Sequence, residues 1–553
     1  MTRKPSTAIW GQLERPFAGE ELMMEGLLGK LRSNRTRIII LAILILFYIL
    51  AVRGMSTKDW VLTTLRGFSV GAVIFLVAAG FSLILGLMGV LNLAQGTLYM
   101  IGAYVGWSFF VRPDTFVDLL TPLLLVASGF WCMPLFDWLL SRLKAPRTLA
   151  RIWPWIGLLL AAVVLLFGLS AYPIALWDAE VYDNSPIVWT QHFEDGLIAE
   201  ILEPAEFVDV APIVSLGGIL LGSLLVSLSL AGLQHARGQA SARGAGRRGT
   251  PWRAVIGTLV LIVLALIVYL LNDALTGFLL GFGSLALFIF AVVVATLVCA
   301  GLGALMEATL IRPLYERHTY QIMMTFGLAF IGTEVVFAIW GRSGFTMPRP
   351  SLFANTADPC PASSIGGWLQ HQCRIMAITI GGETARIRTY NEIFVILVGL
   401  LVLIVVWLLI QRTRLGMIIR AGVQDSEMVE ALAINVRRVF TLVFAIGVGI
   451  AGLGGVISAP STGLSPAMGS TLLLGALIAL AIGGLTSLPG AAAGAVIVGL
   501  VQQFIIKYGQ IGIQLPFMAE PFKPTPPLVP ASTILLMVII LVLMPQGLFG
   551  RRE

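Results

Sequence analysis

Charge is what this chain has least of. Asp, Glu, Lys and Arg make up 12% of its 553 residues, about half the share found in an ordinary soluble domain. With 58% of the residues hydrophobic, such a composition excludes a water-soluble globular protein. Several kinds of chemistry are missing too. No GxxxxGK-type phosphate-cradling loop, HExxH or CxxC occurs, so an enzyme reading has little to stand on. The four histidines, His192, His235, His318 and His371, are scattered, and neither a metal site nor a bound cofactor is expected. Ionisable residues do not recur across several spans as they often do in proton-driven pumps. Of the four cysteines, Cys132 and Cys299 lie in apolar runs and read as packing residues. Cys360 and Cys373 share one polar loop, where a disulfide depends on geometry that spacing does not supply. Residues 1–37 are polar and lack an early apolar core with a cleavage site, so the first apolar run is expected to stay as an anchor.

Apolar runs, by contrast, recur along the whole chain, many of them near the ~20 residues needed to cross a bilayer. They predict an all-α polytopic membrane protein of about fourteen transmembrane helices. Basic residues fix the sides. Arg32, Arg35 and Arg37, then Arg142, Lys144, Arg147 and Arg151, then Arg312 and Arg317, and finally Arg551 and Arg552 all fall on one side of that count, which places both termini in the cytoplasm. The net charge of +7 therefore reports basic loops and not nucleic-acid binding. The organisation read from these signals runs as follows. Residues 1–37 are a cytoplasmic segment and 38–106 the first spans. Residues 107–283 form a block of further spans, with an acidic external loop at 178–210 and a basic cytoplasmic loop at 233–252. Spans in 284–340 lead to an external loop at 341–390, and 391–553 holds the last spans.

Residues 412–438, RTRLGMIIRAGVQDSEMVEALAINVRR, are a charged island between two apolar runs. Asp425 reads as the N-cap of a short helix, with Glu427 and Glu430 in its first turns, where the helix dipole favours acids. Met428, Leu432 and Asn435 fall on one stripe. Such a face packs against its own membrane domain or docks a cytoplasmic protein; the pattern leaves both open. Asn92, Gln95 and Gly96 interrupt an apolar run, and broken spans are tolerated only beside protein or a watery cavity. Glu334 stands in the apolar setting FIGTEVVFAIW. Its carboxylate is either a functional group within the membrane or an external interfacial one, paired or protonated. Glu307, four residues before a basic loop, reads as interfacial. Thr325, Ser82 and Tyr99 are further polar groups in apolar surroundings.

Taken together these pieces resemble a family. GFSLILGLMGVLNLAQGTLYMIGAYVG at 80–106 is similar to the N-terminal signature of the branched-chain amino acid ABC transporter permeases, urea permeases included. Asn92, Ala94, Gly96, Met100, Gly102, Ala103 and Tyr104 match, and Gln95 replaces the usual histidine. Residues 311–341 resemble the family's RPLR…TIGLS segment. The island resembles its coupling region, with Ala433 for glycine. Residues 474–501 match its GGxGSxPGA signature with Thr486 for glycine, and MPQGLFG at 544–550 matches RPQGLFG with Met544 for arginine. The likeness covers about 61–106 and 284–552; the block 107–283 and the first span have no counterpart in it and read as additions.

The resemblance implies a bacterial inner-membrane permease subunit of an ATP-driven importer for branched-chain amino acids or a related small polar solute. Its partners would be a second permease subunit, two cytoplasmic ATPases that use the ATP, an extracytoplasmic solute-binding protein and the lipid bilayer. Asn92, Gln95, Gly96, Thr325 and Glu334 become candidates for the substrate path. Arg420, Asp425, Glu427, Met428, Glu430, Leu432 and Asn435 become candidates for ATPase coupling. A urea or short-amide permease is the near alternative. An ion-coupled carrier and a membrane scaffold with a sensory or interaction role are readings of other classes.

Overall fold

The computed structural model describes residues 35–142, 147–172, 210–236, 252–315, 317–424, 428–429, 435–514 and 520–550. All but the last residue of the acidic loop expected at 178–210 and most of the basic loop at 233–252 lie outside them. Helices dominate in chain order. They are α1 Arg35–Arg53, α2 Thr57–Met88, α3 Gln95–Val111, α4 Pro113–Trp131, α5 Met133–Leu140, α6 Arg147–Ser170, α7 Pro212–Ala236, α8 Trp252–Leu270 and α9 Asn272–Leu280. There follow α10 Ser284–Met306, α11 His318–Trp340, α12 Ile365–His371, α13 Val395–Arg412, α14 Arg414–Gln424, α15 Val436–Thr462, α16 Met468–Gly483, α17 Leu488–Ile511 and α18 Leu528–Leu543. Ten described helical stretches are long and apolar enough to cross a membrane. Of the expected spans, the first, third, twelfth and last are the short ones: Ala42–Arg53 within α1, then α3, α16 and α18. The all-α polytopic architecture stands.

Two helices sit at the centre, α2 and α15, with α3, α16 and α17 around them. Residues 73–84 of α2 are buried on every side, as a helix that is apolar all round must be. With little hydrophobic drive between helices in lipid, close backbone approach supplies the packing. Glycine makes that approach available where α3 and α15 cross. A Cβ on Gly102 would lie 2.4 Å from Gly452 Cα, and one on Gly455 would lie 2.0 Å from the Tyr99 carbonyl oxygen.

The helices α4–α9 pack on one another, α6 against α7 and α4 against both α7 and α8. They share a small core of Leu125, Tyr172, Ile219 and Ala265. The central bundle meets them at the α3–α4 junction, where the Phe109 and Phe116 rings stand 5.1 Å apart. The chain returns close to its departure point: Phe110, at the end of α3, and Phe288, at the start of α10, stack edge-on at 5.9 Å. Four of the membrane-length stretches belong to this block.

Residues 341–390 build a small subdomain. It holds α12, an antiparallel hairpin of β1 Ile375–Ile380 and β2 Glu383–Arg388, and a disulfide between Cys360 and Cys373, whose Cα atoms are 5.5 Å apart. A bridge between Phe345 and Leu464 pins it to the loop after α15. Cys132 and Cys299 are free and buried, as apolar packing requires.

Candidate functional site: a broken helix and its couplings

The expected interruption is present. α2 closes at Gly89, whose φ of +65° and N–H bond to Leu85 O form a left-handed C-cap. Residues 90–94 are non-helical, and α3 begins at Gln95. Buried backbone groups in such a break need partners, and the neighbouring side chains supply them. Thr325 on α11 accepts from Leu93 N at 3.2 Å and lies 3.2 Å from Leu91 O as donor. Ala94 N donates to Asn92 Oδ1 at 3.2 Å, and Asn92 Nδ2 donates to Gln95 Oε1 at 3.0 Å. Gln95 Nε2 then reaches Gly447 O on α15 at 2.8 Å. Asn92, Gln95 and Thr325 are all buried. Gly96 sets the start of α3 against the start of α16: a Cβ there would meet Gly469 O at 2.3 Å. The structure thus brings Asn92, Gln95, Gly96 and Thr325 into one knot tying α2 and α3 to α11 and α15. Glu334 does not join it; it is exposed on the outer surface of α11.

A second cluster was not foreseen. Glu307, expected at an interface, is fully buried. Arg312 Nη2 donates to Glu307 Oε2 at 2.8 Å and Arg312 Nε to Oε1 at 3.1 Å. Tyr315 Oη donates to Oε1 at 2.5 Å, and Thr441 Oγ1 to Oε2 at 2.6 Å. Burial, and then the hydrogen bond and charge of Glu307, push the Tyr315 phenol upward, so it stays a donor. The π-helical turn Glu307–Ile311, running into Arg312–Leu314 with Pro313 in it, gathers three of these residues from a nine-residue stretch. That short spacing was the available signal. Thr441, from the first turns of α15, was legible only in three dimensions.

The charged island begins with a helix that the sequence reading had not placed, α14. Thr413 starts it: its hydroxyl accepts from Gly416 N at 3.1 Å, an N-cap bond. Ile419 is buried among α2, α13 and α15 side chains, while Arg420 Nη1 donates to Gln411 Oε1 at 3.1 Å. Asn435 caps α15 by accepting from Arg438 N at 3.2 Å. Met428 is exposed and Val429 buried. Asp425, Glu427, Glu430 and Leu432 lie outside the described residues. The last described residue before α15, Asn435, thus caps the helix that carries Thr441 and Gly447.

The last two sequence signatures meet each other. Leu548 N donates to Ile482 O at 2.8 Å and Phe549 N to Gly483 O at 2.9 Å. The tail PQGLFG thereby takes the terminal carbonyls that α16 leaves without helical partners. Ser487 caps α17 by accepting from Gly490 N at 3.2 Å.

A profile of the branched-chain amino acid transport system / permease component family matches residues 254–545, just over half of the chain. The chain belongs to this family. The match begins inside α8 and takes in all of α9–α18, so residues 254–283 of the block read above as an addition fall within it. This permease-family chain is 28% identical over 215 residues to the high-affinity branched-chain amino acid transport system permease protein LivH of Salmonella typhimurium, covering 38% of the chain and 62% of that relative. It is 30% identical over 166 residues to BraD of Pseudomonas aeruginosa, covering 30% and 49%. A probable LivH of Methanocaldococcus jannaschii is 26% identical over 153 residues, covering 28% and 46%. The chain spans 62% or less of the length of these curated relatives. No solved structure matches it.

Proposed function

We propose that this chain is the membrane permease subunit of an ATP-driven ABC importer for branched-chain amino acids or a related small polar solute. It forms the translocation path and sits in a bacterial inner membrane with both termini in the cytoplasm. Two separate ATPases dock on residues 412–438, a second permease subunit completes the path, and an extracytoplasmic binding protein delivers the solute. The observation that carries this reading is the family match over residues 254–545. Family relatives named as branched-chain amino acid permeases support the substrate.

The path is assigned to the region of Asn92, Gln95, Gly96 and Thr325, together with Glu334. The knot around the break is tied to α15, so tilting that helix moves α2, α3 and α11 with it. Alternating access then follows from a rigid-body shift driven at the coupling segment. Glu334 is an exposed carboxylate on an apolar helix, an expensive arrangement against lipid. A second permease subunit covering α11 removes that cost.

Reconstitution tests the assignment. With its ATPases and binding protein the chain accumulates labelled leucine in liposomes only when ATP is present, and alone it accumulates nothing. Glu430→Arg or Met428→Asp leaves expression intact and abolishes co-purification of the ATPases. Uphill uptake by the isolated chain from an ion gradient would overturn the reading in favour of a carrier. Uptake of urea but not leucine would move it to the amide variant.

A further inference from the structure

The end of α15 remote from the coupling segment forms the floor of a cavity of about 350 Å3, the size of a small-molecule site. Ala459, Pro460, Ser461, Thr462 and Gly463 make the floor. The walls come from residues 346–349 and from Arg374, in the disulfide-held subdomain. Two arginines therefore line one small space. Arg349 is half-buried and Arg374 exposed, and a second pocket adjoining Arg374 adds Arg386. The Ser461 hydroxyl is shielded from solvent and has no hydrogen-bond partner. Immediately beneath, Ser458 and Tyr99 share a hydrogen bond, and Tyr390 Oη donates to Ile457 O at 2.8 Å. Polar groups thus continue from the cavity into the buried bundle.

From this geometry we infer that the cavity is an entry site for a zwitterionic α-amino acid, with Arg349 and Arg374 holding its carboxylate and the C-terminal turn of α15 receiving its ammonium. Guanidinium forks match carboxylates, and charge-assisted bonds of this kind are the strong ones. A helix C-terminus carries the negative end of its dipole and attracts cations. Each end of the solute meets the opposite charge across a space it can fill. Urea and simple amides carry neither charge, so the site selects against them. The site is separate from the break at residues 90–94, being formed by the last turn of α15 and the subdomain. The assignment rests on the transport reading above for the side of the membrane it faces, but its test needs neither ATPases nor transport.

Binding is measured by calorimetry on the purified full chain in lipid nanodiscs, with L-leucine, L-leucinamide, 4-methylpentanoate and urea as probes. L-leucine binds; the amide lacks the carboxylate, the acid lacks the ammonium, and each binds at least tenfold more weakly, with urea not detected. Arg349→Gln and Arg374→Gln each weaken leucine at least tenfold, and Arg374→Lys recovers part of the loss. Arg342→Gln, whose guanidinium stacks on Phe337 outside the cavity, leaves binding unchanged and controls for lost surface charge. Size-exclusion profiles and melting temperatures equal to those of the parent show that the variants are folded. Absence of leucine binding to the parent chain overturns the inference, and so does equal affinity for leucine and leucinamide. Unchanged leucine affinity in both glutamine variants overturns it as well, while leaving ATP-driven uptake untouched as a separate question.

Discussion

Gln95 shows what a single residue does in a bundle that has little charge to spend. Its amide bonds Asn92 on one side and the Gly447 carbonyl on the other, with no exposure to solvent. Gln95→Leu keeps the volume and strands both partners, which costs about 1–3 kcal/mol per buried unsatisfied group. The expected outcome is a lower melting temperature for the purified protein, with Gln95→His closer to the parent than Gln95→Leu. Glu307 is a stricter case. Removing its carboxylate leaves Arg312, Tyr315 and Thr441 without their shared acceptor. Breaking a buried pair by deleting one partner costs on the order of 3 kcal/mol. Glu307→Ala therefore destabilises more than Tyr315→Phe, which removes one of four bonds, and thermal unfolding of the two variants side by side checks the order. The polar identity of Asn92, Gln95 and Thr325 was readable from the sequence because each interrupts an apolar run. Their common partnership was not, since Thr325 lies more than two hundred positions from Leu91 and Leu93.

Elements are held together by how near their backbones come. The α3–α15 crossing depends on the absence of side chains at Gly102 and Gly452. Gly102→Val places a Cβ and its two methyl groups where the α15 backbone already is, and overpacking of this kind costs about 1–3 kcal/mol or more. The expected result is reduced yield of monodisperse protein in detergent, with Gly301→Val, whose Cβ position is open, behaving like the parent. Other elements are closed by their ends: Gly89 stops α2, Thr413 starts α14, and the PQGLFG tail finishes α16. Thr413 is a residue type that caps helices, but the acidic residues after Asp425 give a stronger local helix signal. Glycines are dense in the sequence of the late spans, but which glycines face which helix depends on the crossing angle and not on spacing along one chain.

At the scale of the molecule, the block α4–α9 leaves and rejoins the bundle at one point, marked by the Phe110–Phe288 stack. The block has a core of its own in Leu125, Tyr172, Ile219 and Ala265. The family match takes in most of α8 and all of α9 at the end of the block, so a chain in which residues 112–283 are replaced by a short flexible linker is expected to remain monodisperse but to lose ATP-driven uptake when reconstituted with its partners. Retained uptake would show that transport needs none of the block. The membrane class, the all-α architecture, the interruption at Asn92–Gly96 and the family motifs were determined by the sequence alone. Insertion into a bilayer is decided segment by segment, from local apolar length and nearby charge. Only the tertiary structure decided that Glu307 is the centre of a four-bond cluster, that Cys360 and Cys373 are joined, and that Arg349 and Arg374 share a cavity over the end of α15. Those juxtapositions join residues far apart in the chain, or in loops whose course no local periodicity dictates, and they exist only once the helices have packed.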